Sequence, residues 1–134
     1  MSDLRERMAQ LAGSIKKGVP MIRVPDIAKT LDWYVSIGFK EIGRYDDAGL
    51  VNFGMLSFGN AELMLNIHGK QGPHDVTLWF YTDQVDNLYQ LLKSGHAEFV
   101  EDIYDAFYGA REFGIRDLNG YTLYFIQPAR EMNG

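Results

Sequence analysis

Residues 110–126, AREFGIRDLNGYTLYFI, decide how this chain of 134 residues folds. The stretch reads strand, turn, strand. Phe113 and Ile115 alternate with Glu112, Gly114 and Arg116, and Asp117-Leu118-Asn119-Gly120 supplies turn chemistry. Tyr121 to Ile126 then resumes an aromatic and β-branched run. Asn119-Gly120 predicts a tight hairpin, because both residues tolerate positive φ. In the second strand Leu123 and Phe125 point one way, and Thr122, Tyr124 and Ile126 the other. One side suits a core under helices. The other mixes polar and aromatic groups, the composition of a ligand cavity.

Working outward, the same order of elements is written twice. Val19 to Val24 reads as a strand stopped by Pro25, and Asp26 caps a helix from Ile27 to Ile37 with Ile27, Leu31 and Tyr34 as its buried stripe. Gly38 fits the position just past that helix. Strands follow over Phe39–Tyr45, Leu50–Phe58 and Ala61–Ile67, with turns at Asp46–Gly49 and Gly59-Asn60. His68 to His74 is a linker. Val76–Thr82 is then a strand, and Asp83 caps a helix carrying Val85, Leu88, Leu91 and Leu92 that ends near Gly95. Ala97–Ile103 is a strand and Tyr104–Gly109 an aromatic loop leading into the closing hairpin. Val24 and Thr82, Ile27 and Val85, and Tyr34 and Leu92 are each 58 positions apart. A constant offset across strand and helix marks a repeat. The expectation is an α+β fold of two βαβββ modules, about residues 18–67 and 75–128, in one domain over 18–130. The modules form curved mixed sheets around a cavity, with the helices outside. Residues 1–17 add an N-terminal helix over Ser2–Ile15, capped by Ser2 or Asp3. Its stripe of Leu4, Met8, Leu11 and Ile15 must bury, either on its own domain or in a dimer.

Composition narrows the function. The formal charge is −5 with 46% hydrophobic and 23% charged residues, which argues against a nucleic-acid surface. There is no cysteine, hence no disulfide, thiol nucleophile or thiolate metal site. No apolar run approaches the ~18 residues of a membrane span, and the start has no signal-peptide core, so the expected location is the cytoplasm. No phosphate loop, dinucleotide fingerprint or Ser-His-Asp arrangement is present.

Strand alternation places Arg23, Glu62, Asn66 and Glu112 opposite the helices, among Met21, Met64, Trp79, Tyr81 and Tyr124. A few polar groups among aromatics and methionine make a small-molecule pocket. The four polar residues are expected to converge on one cavity walled by Met64, Trp79 and Tyr124. Arg23 is expected to pair there with Glu62 or Glu112, because buried charge is costly unless paired. His68, His74 and His96 read as exposed histidines of the linker and a helix end.

Together, the paired modules, Pro20-Met21-Ile22-Arg23-Val24-Pro25-Asp26-Ile27, Ala61-Glu62-Leu63-Met64-Leu65 and Arg116-Asp117-Leu118-Asn119-Gly120-Tyr121 resemble the glyoxalase, bleomycin-resistance and extradiol-dioxygenase (vicinal oxygen chelate) superfamily. Arg111-Glu112-Phe113 followed by Arg116-Asp117 looks most like the bleomycin-resistance branch. The resemblance implies metal-ligand positions at Val19, Glu62, Thr77 and Tyr124, of which only Glu62 is an ordinary ligand. It also implies substrate contact at Arg23 and Asn66, where glutathione-using members carry the same residues, and a homodimer.

The favoured expectation is a metal-free, cofactor-free dimer that sequesters or carries an amphipathic small molecule. Arg23, Glu62, Met64, Asn66, Trp79, Glu112 and Tyr124 would be the ligand-binding residues, and neither nucleic acid nor membrane a partner. The alternative is a lyase, isomerase or dioxygenase of the same superfamily, with Glu62 as metal ligand or general base. A third reading is an interaction module whose cavity is filled by side chains.

Overall fold

A computed structural model describes residues 2–129, the side chain of Ser2 excepted. The Ser2 cap and the domain end at residue 130 therefore lie outside the described residues. The elements run α1 (Ser2–Leu11), β1 (Met21–Arg23), α2 (Ile27–Ser36), β2 (Lys40–Asp47), β3 (Leu50–Phe58), β4 (Ala61–Asn66), β5 (Thr77–Tyr81), α3 (Val85–Lys93), β6 (Glu98–Asp105), β7 (Arg111–Arg116) and β8 (Thr122–Gln127). They form two four-stranded sheets, β1-β4-β3-β2 and β5-β8-β7-β6. In each, the first strand pairs parallel with the last and the remaining pairs are antiparallel. This is the βαβββ unit written twice.

Alternation sorted the faces correctly. Ile22, Leu63, Leu65, Leu78, Phe113, Ile115, Leu123 and Phe125 are all buried and join Ile27, Leu31 and Tyr34 of α2 in one core that draws on both units. Each such side chain contributes about 1.5–3 kcal/mol by leaving water. Phenylalanines cross the seam: Phe39 meets Phe80 edge to face at 6.0 Å, and Phe58 meets Phe125 edge to face at 6.4 Å.

A polar knot ties the units more specifically. The Tyr34 hydroxyl, on α2, donates to Asp117 Oδ2 at 2.6 Å. Asp117 Oδ1 accepts the backbone N–H of Asn119 at 2.8 Å and of Tyr121 at 2.9 Å. Asn119 Nδ2 then donates to Thr30 Oγ1, at 2.9 Å, back on α2. Asp117, Asn119 and Thr30 are all buried.

Several expectations are corrected. The β7–β8 connection is not a two-residue Asn-Gly turn: only Gly120 adopts positive φ, at 94°, and the Asp117 carboxylate organises the loop instead. The paired positive φ values fall at Ala48 (53°) and Gly49 (83°), between β2 and β3. Asp83 does not cap α3. Gln84 is its N-cap, and the first helical amide, of Val85, donates to the Gln127 side chain at 3.1 Å. Helix α1 gives way to a 3₁₀ turn over Ala12–Ser14, and Leu4, Met8, Leu11 and Ile15 remain 60–72% exposed, so the helix does not clasp its own chain. Strand β6 continues through Asp105, absorbing residues read as loop.

The linker is packed down rather than slack. Gly69 N–H donates to Val24 O, Gly72 N–H to Asn119 O and His74 N–H to Gly120 O. A Cβ on Gly69 would lie 2.1 Å from the carbonyl carbon of Arg23. His74, expected to be exposed, stacks on Tyr121 at 4.1 Å.

Candidate functional site

Strand register organises the faces opposite the helices into rows. On the first sheet Met21, Met64, Met55 and Gly43 lie side by side across four strands. The equivalent row on the second sheet is Trp79, Tyr124, Gly114 and Glu101. One repeat therefore presents adaptable thioethers where the other presents aromatic rings and a carboxylate. The next row of the second sheet is Tyr81, Ile126, Glu112 and Tyr104.

The second-sheet face has the more developed chemistry. Trp79 and Tyr124 stack at 5.9 Å with an interplanar angle of 16°. Gly114 makes this possible, since a Cβ there would lie 2.7 Å from the Tyr124 ring. Trp79 keeps 44% of its surface exposed, leaving room for another ring. The Tyr124 hydroxyl donates to Glu101 Oε1 at 2.6 Å. Beside it, Glu112 is 3% exposed and accepts from Tyr104 at 3.0 Å and from Tyr108 through its other oxygen. Neither Glu101 nor Glu112 forms an ion pair among the described residues. Two carboxylates held by phenols, on an aromatic floor, suit a hydrogen-bond-donating or cationic group.

The phenols respond to this setting. Desolvation and the Glu112 carboxylate push Tyr104 up to about 12. The hydrogen bond to Glu112 raises Tyr108, and burial followed by the bond to Glu101 raises Tyr124. In the core, burial and then Asp117 hold Tyr34 well above its ordinary value. All four stay protonated in the fold at pH values where unfolded phenols, with pKa about 10, ionise. Their contribution to stability is complete below pH about 10 and is lost as pH rises towards 12. Urea midpoints should therefore fall steeply between pH 10 and 12, and the phenolate absorbance of these four residues at 295 nm should appear together with unfolding. A midpoint flat across that range would contradict the assignment.

Trp79, Tyr124 and Glu112 share the second sheet, whereas Arg23, Met64 and Asn66 lie on the first. Arg23 pairs with neither Glu62 nor Glu112: its Nη1 donates to Ile67 O at 3.0 Å, and Glu62 takes Lys17 Nζ at 2.7 Å. Asn66, the register partner of Arg23, accepts from Ile67 N–H at 2.8 Å and donates to Met21 Sδ at 3.6 Å. Glu62 and Trp79 do meet, lining a groove of ≈ 350 Å³ with Lys17, Val19 and Thr77.

Those same positions decide the fit of a metal. Val19 offers no side-chain donor, Glu62 is held by Lys17, and the Tyr124 hydroxyl is directed at Glu101. The set does not suit a divalent cation. Among the described residues no three His, Cys, Asp or Glu side chains cluster as metal ligands.

Alternation missed Glu101, Tyr104 and Tyr108. Register shifts in β6, between Phe99 and Glu101 and between Glu101 and Tyr104, turn both Glu101 and Tyr104 to the face opposite the helices, which simple alternation forbids. The only sequence signal was the aromatic character of residues 104–108.

The family model described as Glyoxalase/Bleomycin resistance protein/Dioxygenase superfamily matches residues 16–125. No curated protein matches the chain. Similar solved structures include TioX from Micromonospora sp. ML1, with a TM-score of 0.74 and 21% identity over 84% of this chain and 98% of that one. A bleomycin-binding protein complexed with bleomycin superposes with a TM-score of 0.69 and 20% identity over 84% and 98%. A glyoxalase-related enzyme from Clostridium phytofermentans gives 0.69 and 23% over 85% and 95%. At these identities the likeness is one of fold. No helix among the described residues is long and apolar enough to cross a membrane.

Proposed function

Because the chain belongs to the glyoxalase/bleomycin resistance protein/dioxygenase superfamily, we propose that it is a metal-free small-molecule-binding protein, which sequesters or carries an aromatic ligand bearing a protonated amine. One observation carries this reading: the half-open Trp79–Tyr124 stack lies beside two carboxylates that no described cation neutralises. The ligand's ring extends the stack and its amine meets Glu101 or Glu112, each contact worth about 1 kcal/mol or more once water is excluded. The bleomycin-bound neighbour supports the small-molecule class. Arg23, Glu62, Met64 and Asn66 form a second wall in this reading, with the methionine row adapting to ligand shape. The test is a thermal-shift and calorimetric screen with bleomycin and proflavine, a planar aromatic cation. A ligand at about 100 times its Kd adds about 2.7 kcal/mol of stability. No response from any amine-bearing aromatic would remove the proposal.

The enzymatic alternative, with Glu62 as base or ligand, has less support, because Lys17 occupies that carboxylate. Protein purified without added metal should carry less than about 0.1 equivalent of Zn, Ni, Fe or Mn by elemental analysis, given the donor chemistry at positions 19, 62, 77 and 124. One equivalent lost in Glu62→Ala would reverse this.

A homodimer belongs to the same reading. The stripe Leu4, Met8, Leu11 and Ile15 stands exposed, and a second copy would cover it. Light scattering at micromolar concentration should give twice the chain mass of 15.3 kDa. A monomeric mass across that range would exclude it.

A further inference from the structure

The tip between β6 and β7 contains a feature that the binding reading does not use. Its base is fixed. Ala106 and Ala110 are buried, Ala106 N–H donates to Ala110 O at 2.7 Å, and Arg111 bridges Asp105 and Asp86, each at 3.1 Å. Above this base Phe107 is 100% exposed and Tyr108 43% exposed, the two rings edge to face at 5.2 Å. Gly109 returns the chain with φ 90°. The side-chain hydrogen bond anchoring the tip is the one from Tyr108 to Glu112.

Resting on the proposed reading of the site, we infer that Tyr108 is a gate residue: its hydroxyl occupies the Glu112 carboxylate when the site is empty, and the amine of an incoming ligand displaces it. Two observations support this. Glu112 is almost fully buried on a sheet face that also carries the exposed Trp79 and Tyr81, and part of its cover is a side chain from a loop tip rather than from the sheet. The other phenol on Glu112, from Tyr104, belongs to β6 and is held by the ladder. Rotation of one exposed tyrosine about its side-chain bonds therefore uncovers one carboxylate oxygen without disturbing the sheet, on the timescale of surface rotamer exchange. Tyr104 keeps the other oxygen bonded throughout, so Glu112 is never stripped of both partners. A ligand lacking a donor leaves the gate shut, which makes Tyr108 a determinant of specificity. An amine exchanges one charge-assisted bond for another.

Two measurements test the gate on the intact chain. Water-soluble carbodiimide modifies accessible carboxylates, and peptide mass spectrometry reads Glu112 against the exposed Glu98. In Tyr108→Phe the Glu112-to-Glu98 labelling ratio should rise several-fold, and proflavine should bind about tenfold tighter, because the competing internal bond is gone. A labelling ratio unchanged from wild type overturns the gate. A raised ratio with weaker proflavine binding also overturns it, since Tyr108 would then contact the ligand. If neither form binds proflavine, the reading of the site fails for that class, while the labelling ratio still decides whether Tyr108 covers Glu112.

Discussion

Asp117→Ala is expected to lower the unfolding free energy by about 3–5 kcal/mol. The carboxylate accepts three hydrogen bonds, from Tyr34, Asn119 and Tyr121, in a position 5% exposed to solvent. Alanine leaves the Tyr34 hydroxyl without an acceptor inside the core, where Tyr34 is 0% exposed, and strands two backbone donors of the turn. A bond to an ionised acceptor contributes about 1.5–3 kcal/mol, and the desolvation of unsatisfied donors adds to the loss. For a chain of this size the melting temperature should drop by about 10–20 °C. Tyr34→Phe, which keeps the ring and deletes one donor, should cost about 1.5–2 kcal/mol. Urea unfolding with an unchanged slope is the measurement. An Asp117→Ala loss below about 1 kcal/mol would mean that the knot is not what aligns the two repeats.

Trp79→Ala should do the opposite, sparing the fold and removing binding. Trp79 is half exposed and its neighbour in the stack, Tyr124, retains its bond to Glu101, so stability should change by about 1 kcal/mol or less. Loss of the exposed ring face should weaken proflavine or bleomycin binding by about 2 kcal/mol, roughly 30-fold. Isothermal titration at fixed ionic strength reads this directly. Equal affinities for wild type and variant would place the ligand elsewhere. The two substitutions thus separate the knot that holds the repeats together from the surface proposed to hold the ligand.

Much of this architecture was legible because burial enforces alternation. Ile22, Leu63, Leu65, Leu78, Leu123 and Phe125 could be assigned to the core from period two alone. The repeat was legible because α2 and α3 begin 58 residues apart, at Ile27 and Val85. Charge pairing was not legible. Arg23 and Glu62 share a face, but Lys17 reaches the carboxylate from outside the strands and Arg23 finds a backbone carbonyl instead. Periodicity places residues on a face without fixing which of two sheets they share with a partner. Glu101 and Tyr104 were hidden for a different reason, since a bulge reverses the facing of every later residue and has no reliable signature in composition.

The wedged linker has a consequence for anyone modifying this chain. Residues 68–74 resemble the seam between two repeats, the obvious place to splice in a reporter or a cleavage site. Yet Gly69 sits against the Arg23 backbone and Gly72 and His74 hydrogen-bond to the turn at Asn119-Gly120, so added residues there would pry the repeats apart. The Ala48-Gly49 turn is the better port of entry: a Cβ on Gly49 would meet nothing within 4 Å, and the strands on either side are zipped to each other rather than to the second repeat.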